Sequence, residues 1–157
     1  MTLAIYAGSF DPITNGHLDI LKSATEIFDK VIIAVAYNSS KKGFLPIEKR
    51  VELIKASVKE LKNVEVDSFI GLTVDYARKR GAKFLLRGLR STADFQNEFD
   101  MAQVNSHLDT DIRTVFMHAK AEHIFISSSM IREILINNGD ISEYVPQCVS
   151  EYFKKQY

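Results

Sequence analysis

The residues best suited to chemistry lie in the segment 8–17, which reads Gly-Ser-Phe-Asp-Pro-Ile-Thr-Asn-Gly-His. An apolar run, 3–7, precedes it and predicts a short buried strand. Apolar residues at helical spacing follow it, from Leu18 to Phe28, and predict an amphipathic helix. Glycines at 8 and 16 let the backbone turn sharply and approach a ligand closely. The segment is therefore a predicted strand-to-helix turn.

The start of that helix is a candidate anion site. Thr14 and Asn15 are good N-cap residues. The free N–H groups and the positive dipole end of a helix start suit a phosphate. His17 falls in the first turn, where a ring N–H can reach the same anion. The segment is neither the G-x-G-x-x-G fingerprint nor a P-loop, and a packing loop with a helix-capping histidine is the alternative interpretation.

A second candidate anion site follows the apolar run that ends at Arg87. An arginine beside a buried strand needs an anionic partner, because a guanidinium is not left unpaired in a core. A salt bridge to a helix carboxylate would meet that need. Arg87 and Arg90 bracket Gly88, however, and two arginines around a glycine favour a phosphate clamp, since arginine binds phosphate in bidentate fashion.

Three consecutive serines, 127–129, precede a predicted helix and form a third candidate site. Their hydroxyls and backbone N–H groups suit an anion, although plain N-capping is the alternative. The histidines show no metal-ligand spacing with cysteine or carboxylates, so we expect no metal site made by the protein. Ser9 lacks a nucleophile elbow, and no Ser/His/Asp order is convincing.

Composition limits the class of protein. The formal net charge of the 157 residues is zero, so we expect neither nucleic acid nor a membrane as partner, and any anion site must be local. The single cysteine, Cys148, excludes an intramolecular disulfide and suits a reducing compartment. No apolar run approaches the roughly 20 residues of a membrane span, and no leader pattern precedes the first strand. We expect a cytoplasmic protein.

Strand and helix patterns alternate through most of the chain. This alternation predicts an α/β fold, a doubly wound five-stranded parallel sheet with right-handed crossovers, as one domain over 1–157. The predicted strands are 3–7, 31–36, 64–69, 83–87 and 113–117. The predicted helices are 18–28, one from Pro46, 74–80 ended by Gly81, 93–108, one after the serines through Ile136, and one from Pro146 to Tyr157.

Ligands bind such sheets at the carboxyl ends of strands, near the switch in strand order. The special residues follow four strand ends: 8–17, Lys41, Leu72-Thr73, and 87–90. We therefore expect them to meet at one mouth. On residue type alone, however, Lys41 would be a solvated surface lysine.

The helix 93–108 carries an apolar stripe, formed by Phe95, Phe99 and Ala102. Its spacing predicts that these three residues are buried. Glu98 lies beside this stripe and, on residue type alone, is an exposed glutamate.

Three motifs together resemble one enzyme family. The Thr-x-Gly-His ending of 8–17 resembles the nucleotidylyltransferase signature, and the whole segment resembles bacterial-type phosphopantetheine adenylyltransferases. Arg-Gly-Leu-Arg at 87–90 and Ile-Ser-Ser-Ser-x-x-Arg at 126–132 are similar to further motifs of that family, and the resemblance covers nearly the entire chain. It implies a Rossmann-like nucleotidyltransferase fold. It also implies a reaction of ATP with 4′-phosphopantetheine that gives dephospho-coenzyme A and pyrophosphate.

The resemblance also implies roles for individual residues. His17 would stabilise charge on the α-phosphate, Lys41 and Arg87 would hold the acceptor phosphate, and Thr73 would contact the pantetheine arm. Ser9 would bridge both substrates. Residues implied in ATP binding are Ser9, Phe10, His17, Gly88, Leu89, Arg90, Glu98, His123, Ile124, Phe125, Ile126, Ser127, Ser128 and Ser129. His123 stands where relatives commonly carry tryptophan.

Further expectations follow from the resemblance. Mg²⁺ should accompany ATP, bound mainly by phosphates and water. A homohexamer and feedback by coenzyme A are implied as well. Two alternatives stay open: a nucleotidylyltransferase for another phosphorylated acceptor, such as nicotinamide mononucleotide or glycerol phosphate, and a non-catalytic nucleotide sensor that kept the fold.

Overall fold

The structure is a computed structural model that describes residues 1–156. Five strands alternate with helices, and two further helices follow the last strand. The elements are β1 (Leu3–Gly8), α1 (Asn15–Ile27), β2 (Lys30–Ala36), α2 (Ile47–Val58), β3 (Val64–Phe69), α3 (Thr73–Arg80), β4 (Phe84–Leu89), α4 (Thr92–Leu108), β5 (Arg113–His118), α5 (Ser128–Ile136) and α6 (Gln147–Lys154).

The strands form one parallel sheet in the order β3-β2-β1-β4-β5. The predicted doubly wound α/β fold is confirmed. The chain first builds outward from β1 through β2 to β3, then returns to place β4 on the other side of β1. The switch in strand order therefore lies between β1 and β4, and a crevice opens there beyond the carboxyl ends of the strands.

The core lies on both faces of the sheet, because successive strand residues point to opposite sides. Tyr6, Ile33 and Leu86 belong to the larger apolar cluster, together with residues of α1, α2, α5 and α6. Ile5 and Leu85 belong to the smaller cluster, together with residues of α3. The strands β1 and β2 are buried on both faces, which explains why their sequences are continuous apolar runs.

The predicted buried stripe of α4 is wrong at two of its three positions. Ala102 is buried, but Phe95 is 40% and Phe99 43% exposed. Helical spacing marks an apolar face without saying which element covers it. Here α4 lies against β4 and the edge strand β5, and the outer side of its apolar face stays open.

The ends of two helices test the sequence patterns directly. Gly81 ends α3 in the left-handed conformation, with φ of 72°, as its position predicted. The last helix, α6, ends at Lys154, earlier than the predicted end at Tyr157, which lies outside the described residues. Within residues 1–156, no helix has both the length and the apolar character to cross a membrane.

Candidate active site

The β1–α1 loop, residues 9–14, ends in a reciprocal cap at the start of α1. The Thr14 hydroxyl accepts from the His17 backbone N–H at 3.3 Å. In return, Nδ1 of His17 accepts from the Thr14 backbone N–H at 3.0 Å. This capping box determines the histidine tautomer: since Nδ1 is an acceptor, the proton of the neutral ring is on Nε2.

The surroundings of His17 keep the ring neutral. Burial, together with the positive charges of Arg90 and Arg87, lowers its pKa from 6.5 to about 4. At neutral pH the side chain therefore offers one N–H donor and no positive charge. The cap sets the direction of the remaining ring N–H, and its use by an anion stays a prediction.

The underside of the β1–α1 loop is anchored by Asp11 and Arg50. Asp11 is 6% exposed and accepts from the backbone N–H groups of Phe44 and Leu45 at 2.7 and 2.8 Å. Its carboxylate also lies 3.2 Å from the Arg50 guanidinium, which is equally buried. Arg50 donates in addition to the carbonyls of Leu45 and Ser9, at 2.9 and 3.3 Å. The buried charges are thus paired and hydrogen-bonded, as burial requires.

Two residues near the start of α5 hold the same loop. Arg132 donates to the Asp11 carbonyl at 2.8 Å, and the Ser128 hydroxyl donates to the Pro12 carbonyl at 2.8 Å. The predicted serine turn therefore has a structural part, because one of its hydroxyls is used within the protein. Ser127 is the N-cap of α5 and accepts from the Met130 N–H at 3.1 Å, as the alternative of plain capping predicted.

Phe10 turns the loop with a positive φ of 43°. A non-glycine residue adopts this region at a cost of about 1–2 kcal/mol. Its ring is 2% exposed and packs edge-on against Tyr6 and His17, with ring centroids 5.2 and 5.0 Å away. Because the side chain is part of the core, only the backbone of Phe10 is available to a ligand.

Arg87 at the end of β4 makes a bidentate ion pair with Glu98 of α4. Its Nε and one terminal nitrogen donate to the two carboxylate oxygens at 2.7 and 2.8 Å, and the other terminal nitrogen donates to the Ala7 carbonyl at 2.7 Å. Hydrogen bonding to Glu98 raises the pKa of Arg87, so the guanidinium stays charged. A guanidinium has further N–H donors, so this pair leaves some free for an anion. Arg90 is paired with Asp94 at 3.1 Å.

A cavity of about 290 Å³ opens between the ends of β1 and β4, at the switch in strand order. We call it the switch-point cavity. It brings together most of the predicted site residues. Of the four segments that were expected to meet at one mouth, two line this cavity, 8–17 and 87–90, and the serine turn 126–129 joins them. The predicted residues in its wall are Ser9, Phe10, His17, Arg87, Gly88, Arg90, Glu98, His123, Ile126, Ser127, Ser128 and Ser129.

A second cavity, of about 780 Å³, lies beyond the end of β2 and contains Lys41 in its wall. We call it the β2 cavity. Ser9 lines both cavities and so stands at their junction. Of the other predicted residues, Leu89, Ile124 and Phe125 lie outside the wall of the switch-point cavity, and Thr73, the first residue of α3, lines neither cavity.

Several polar residues at the site were not predicted. Asp11 and Arg50 hold the loop, and Asp19 of α1 is bonded to His123 with 2.6 Å between Oδ2 and Nδ1. Tyr6 lines the switch-point cavity, and burial raises the pKa of its phenol. The sequence offered one indication of these residues: Asp19 is a charged residue beside Ile20 in the apolar pattern of α1.

The comparisons with known proteins point to one enzyme family. A family model described as cytidylyltransferase-like matches residues 5–134. A phosphopantetheine adenylyltransferase from Syntrophotalea carbinolica is 45% identical over 155 residues, which is 99% of this chain and 93% of that relative. A phosphopantetheine adenylyltransferase from Nautilia profundicola is 50% identical over 145 residues, which is 92% of this chain and 94% of that relative.

Two solved structures share the fold at low identity. A candidate nicotinate-nucleotide adenylyltransferase from Vibrio parahaemolyticus has a TM-score of 0.77 at 24% identity, and the match covers 98% of this chain and 99% of that one. A bifunctional NMN adenylyltransferase/ADP ribose pyrophosphatase from Francisella tularensis has a TM-score of 0.75 at 15% identity, covering 98% and 49%. With relatives of one name matching at 45–50% identity over nearly its full length, this chain belongs to the phosphopantetheine adenylyltransferase family.

Proposed function

We propose that this chain transfers the adenylyl group of ATP, reversibly, to 4′-phosphopantetheine, a step of coenzyme A biosynthesis. A phosphate oxygen of the acceptor attacks the α-phosphorus of ATP. The bond from that phosphorus to the bridging oxygen breaks, so pyrophosphate leaves and dephospho-coenzyme A forms. The main structural support for two adjacent substrate sites is that Ser9 lines both cavities, one of which also contains His17. The identity of the acceptor rests on the names of the relatives.

His17 supports the transfer as a neutral donor. The attacking phosphate is already an anion at neutral pH, so the reaction needs no strong general base. What it needs is alignment and stabilisation of charge at the α-phosphate. The Nε2–H of His17 supplies such a donor, oriented in advance by the hydrogen bond from Thr14 to Nδ1.

The switch-point cavity is the proposed ATP site. Arg90 and the N-terminus of α5 with its serines supply positive potential and donors for the phosphates. Gly88 lets β4 pack closely against α1, because a Cβ there would lie 2.6 Å from the Ile20 side chain. The contacts that we propose through Leu89, Ile124 and Phe125 rest on the resemblance alone.

The acceptor phosphate is proposed to lie between Arg87 and Lys41. Arg87 keeps free donors beyond those given to Glu98 and Ala7. The β2 cavity beside Lys41 also offers apolar wall from Phe44, Leu45 and Ile47, which suits an extended pantetheine arm. Thr73 lies outside this wall, so its proposed contact with the arm rests on the resemblance alone.

Glu98 is proposed to act at the ATP site through Arg87. In the structure both of its carboxylate oxygens are engaged by that arginine. Mg²⁺ is proposed to enter with ATP as part of the substrate. Residues 1–156 contain no cluster of three His, Cys, Asp or Glu side chains placed to hold a metal ion, and the lining carboxylates Asp94 and Glu98 are bonded to arginines. Phosphate and water oxygens would therefore supply most ligands.

The exposed apolar face of α4 supports self-association. Met101, Val104 and Leu108 share one side of α4 by helical spacing and are each about half exposed, whereas Phe95 and Phe99 lie on the opposite side. α4 lies beside the edge strand β5. A contiguous apolar face of this kind marks an interface. We propose that other copies of this chain cover it; the number six, as a homohexamer, rests on the resemblance. Coenzyme A as a feedback ligand is proposed on the same ground. A cytoplasmic location without nucleic-acid or membrane partners is proposed from the composition, with its zero net charge and single cysteine.

The decisive experiment is a pyrophosphate-release assay with ATP and three acceptors: 4′-phosphopantetheine, nicotinamide mononucleotide and glycerol 3-phosphate. We expect release with phosphopantetheine alone and dephospho-coenzyme A as product. Release with another acceptor would keep the role of His17 but overturn the substrate. No pyrophosphate release with any of the three acceptors, while ATP still binds, would favour the nucleotide sensor.

A further inference from the structure

His123 is held in place by a buried carboxylate. Asp19 lies on α1, two positions after His17, and is 7% exposed. Its Oδ2 lies 2.6 Å from Nδ1 of His123 and also accepts from the Lys120 backbone N–H at 3.2 Å. The His123 side chain is 24% exposed and lines the switch-point cavity.

This contact determines what the ring presents to the cavity. A backbone N–H can only donate, so Oδ2 is an acceptor, and Nδ1 must donate its proton to the same oxygen. In the neutral imidazole the other nitrogen, Nε2, is then a hydrogen-bond acceptor. Within residues 1–156, Nε2 has no partner among the hydrogen bonds of the structure. Because Nδ1 faces the buried carboxylate, the exposed edge of the ring is the edge that carries Nε2.

The neighbourhood of His123 suits a base rather than a phosphate. Asp19 behind the ring is an anion, and it disfavours a second anion at this end. The phosphate donors of the cavity are the N-termini of α1 and α5 and the two arginines, and none of them is bonded to the His123 ring. Apolar residues line the same cavity, namely Ile20, Ala119 and Ile126. Ile126 lies next to His123, because its backbone N–H donates to the His123 carbonyl at 3.0 Å. Flat apolar walls with a single polar group are typical of a site for a purine ring.

We propose that His123, oriented by Asp19, selects the base of the nucleoside triphosphate by accepting a hydrogen bond from an exocyclic amino group. This inference rests on the proposed function, because it assumes that the switch-point cavity takes the nucleotide. His123 is a specificity-determining residue in this scheme, and Asp19 is a positioning residue that acts through it.

The proposal predicts an order among purine nucleotides. ATP carries a 6-amino group that donates to Nε2. Purine riboside triphosphate lacks the group and loses the hydrogen bond, which lowers kcat/KM about tenfold. Inosine triphosphate presents an oxygen instead, which places two acceptors against each other. We therefore expect kcat/KM to fall by more than the roughly tenfold loss of purine riboside triphosphate.

The test measures kcat/KM for these three nucleotides in wild type and four variants. In His123→Phe the ring remains but the acceptor is lost, so we expect the ATP-to-inosine ratio to fall toward one, through a higher KM for ATP with kcat kept. Asp19→Ala frees the ring and should lower the ratio similarly. In Asp19→Asn the amide oxygen can still accept both hydrogen bonds, so the ratio should stay near wild type. His118→Phe, outside the cavity wall, is the matched control.

A ratio between two nucleotides does not depend on the fraction of folded enzyme, so a merely structural effect leaves it unchanged. An unchanged ratio in His123→Phe overturns the proposal, and so does a wild type that prefers inosine triphosphate. Loss of the ratio in Asp19→Asn overturns the positioning role. If phosphopantetheine gives no turnover at all, the proposed function fails, and calorimetric binding of ATP and inosine triphosphate to the same variants still decides this inference.

Discussion

The two faces of the β1–α1 loop use the same chemistry in opposite ways. On the underside, Asp11 and Arg50 form an ion pair with side chains 8% and 6% exposed. On the side of the switch-point cavity, Glu98 and Arg87 form an ion pair with side chains 20% and 36% exposed. Each guanidinium makes three contacts, one or two of them with backbone carbonyls. The difference is exposure, because only the remaining donors of Arg87 are open enough to reach a ligand.

The difference indicates that burial decides which arginine can only anchor the loop and which one could also bind a ligand. Removing one partner of a buried pair leaves an uncompensated charge in the core, so such a pair resists change. A pair at a cavity mouth can share its guanidinium with an incoming anion. The anchored underside holds the loop still, and His17, capped by Thr14 at the end of that loop, is thereby oriented before any ligand arrives. Changes below the loop should therefore cost stability, and changes above it should cost turnover.

The largest effect is expected from Arg50→Ala. Asp11 would be left buried without its partner, and the free energy of unfolding should fall by about 3–5 kcal/mol. Urea denaturation measures it. Arg78→Ala is the control, because Arg78 is 58% exposed in its ion pairs and should change stability by no more than about 1 kcal/mol. Equal effects of the two variants would contradict the anchoring role.

His17→Ala is expected to lower kcat by about 10²–10³ while ATP still binds, because the lost donor acts mainly on the transition state. Pyrophosphate release and calorimetry measure the two quantities. His17→Gln is the matched variant, since its amide can place a donor near the position of Nε2 and should restore part of the rate. Parallel losses of ATP affinity and of kcat would show that His17 only binds.

The lowered pKa of His17 predicts a dependence of stability on pH. The unfolded chain takes up a proton near pH 6.5, whereas the folded protein keeps His17 neutral down to about 4. Between these values the unfolded state binds more protons, so the free energy of unfolding falls as the pH is lowered, by up to about 3 kcal/mol. Denaturation at pH 7 and pH 4.5 measures this, and His17→Gln should lose less stability. An equal loss in both proteins would place the titrating group elsewhere.

A smaller effect is expected from Arg87→Lys. Lysine keeps the charge but loses the bidentate geometry, so KM for the acceptor should rise about tenfold with little change in stability. Steady-state kinetics with phosphopantetheine as the varied substrate measure it. Arg113→Lys, at the amino end of β5, is the control and should leave KM unchanged. A fall in stability similar to that of Arg50→Ala would erase the distinction between the two faces of the loop.

The sequence by itself determined the order of strands and helices and the loops that carry the site. Apolar residues are spaced differently in strands and in helices, so the two kinds of element can be told apart in the sequence. Gly81 marks a helix end because the left-handed conformation there favours glycine. Parallel strands place their following loops at one edge, so 8–17 and 87–90 were expected to meet. They do so at the switch between β1 and β4.

Only the tertiary structure decided which distant side chains pair. Asp19 and His123 are 104 positions apart, and nothing local in either segment indicates the other. The same holds for Asp11 with Arg50, and for the open apolar face of α4, where spacing showed an apolar stripe but not its partner. Periodicity reports a repeating local geometry, whereas an ion pair or a covered face depends on how whole elements pack. Packing is a property of the assembled sheet and helices, so these contacts became visible only there.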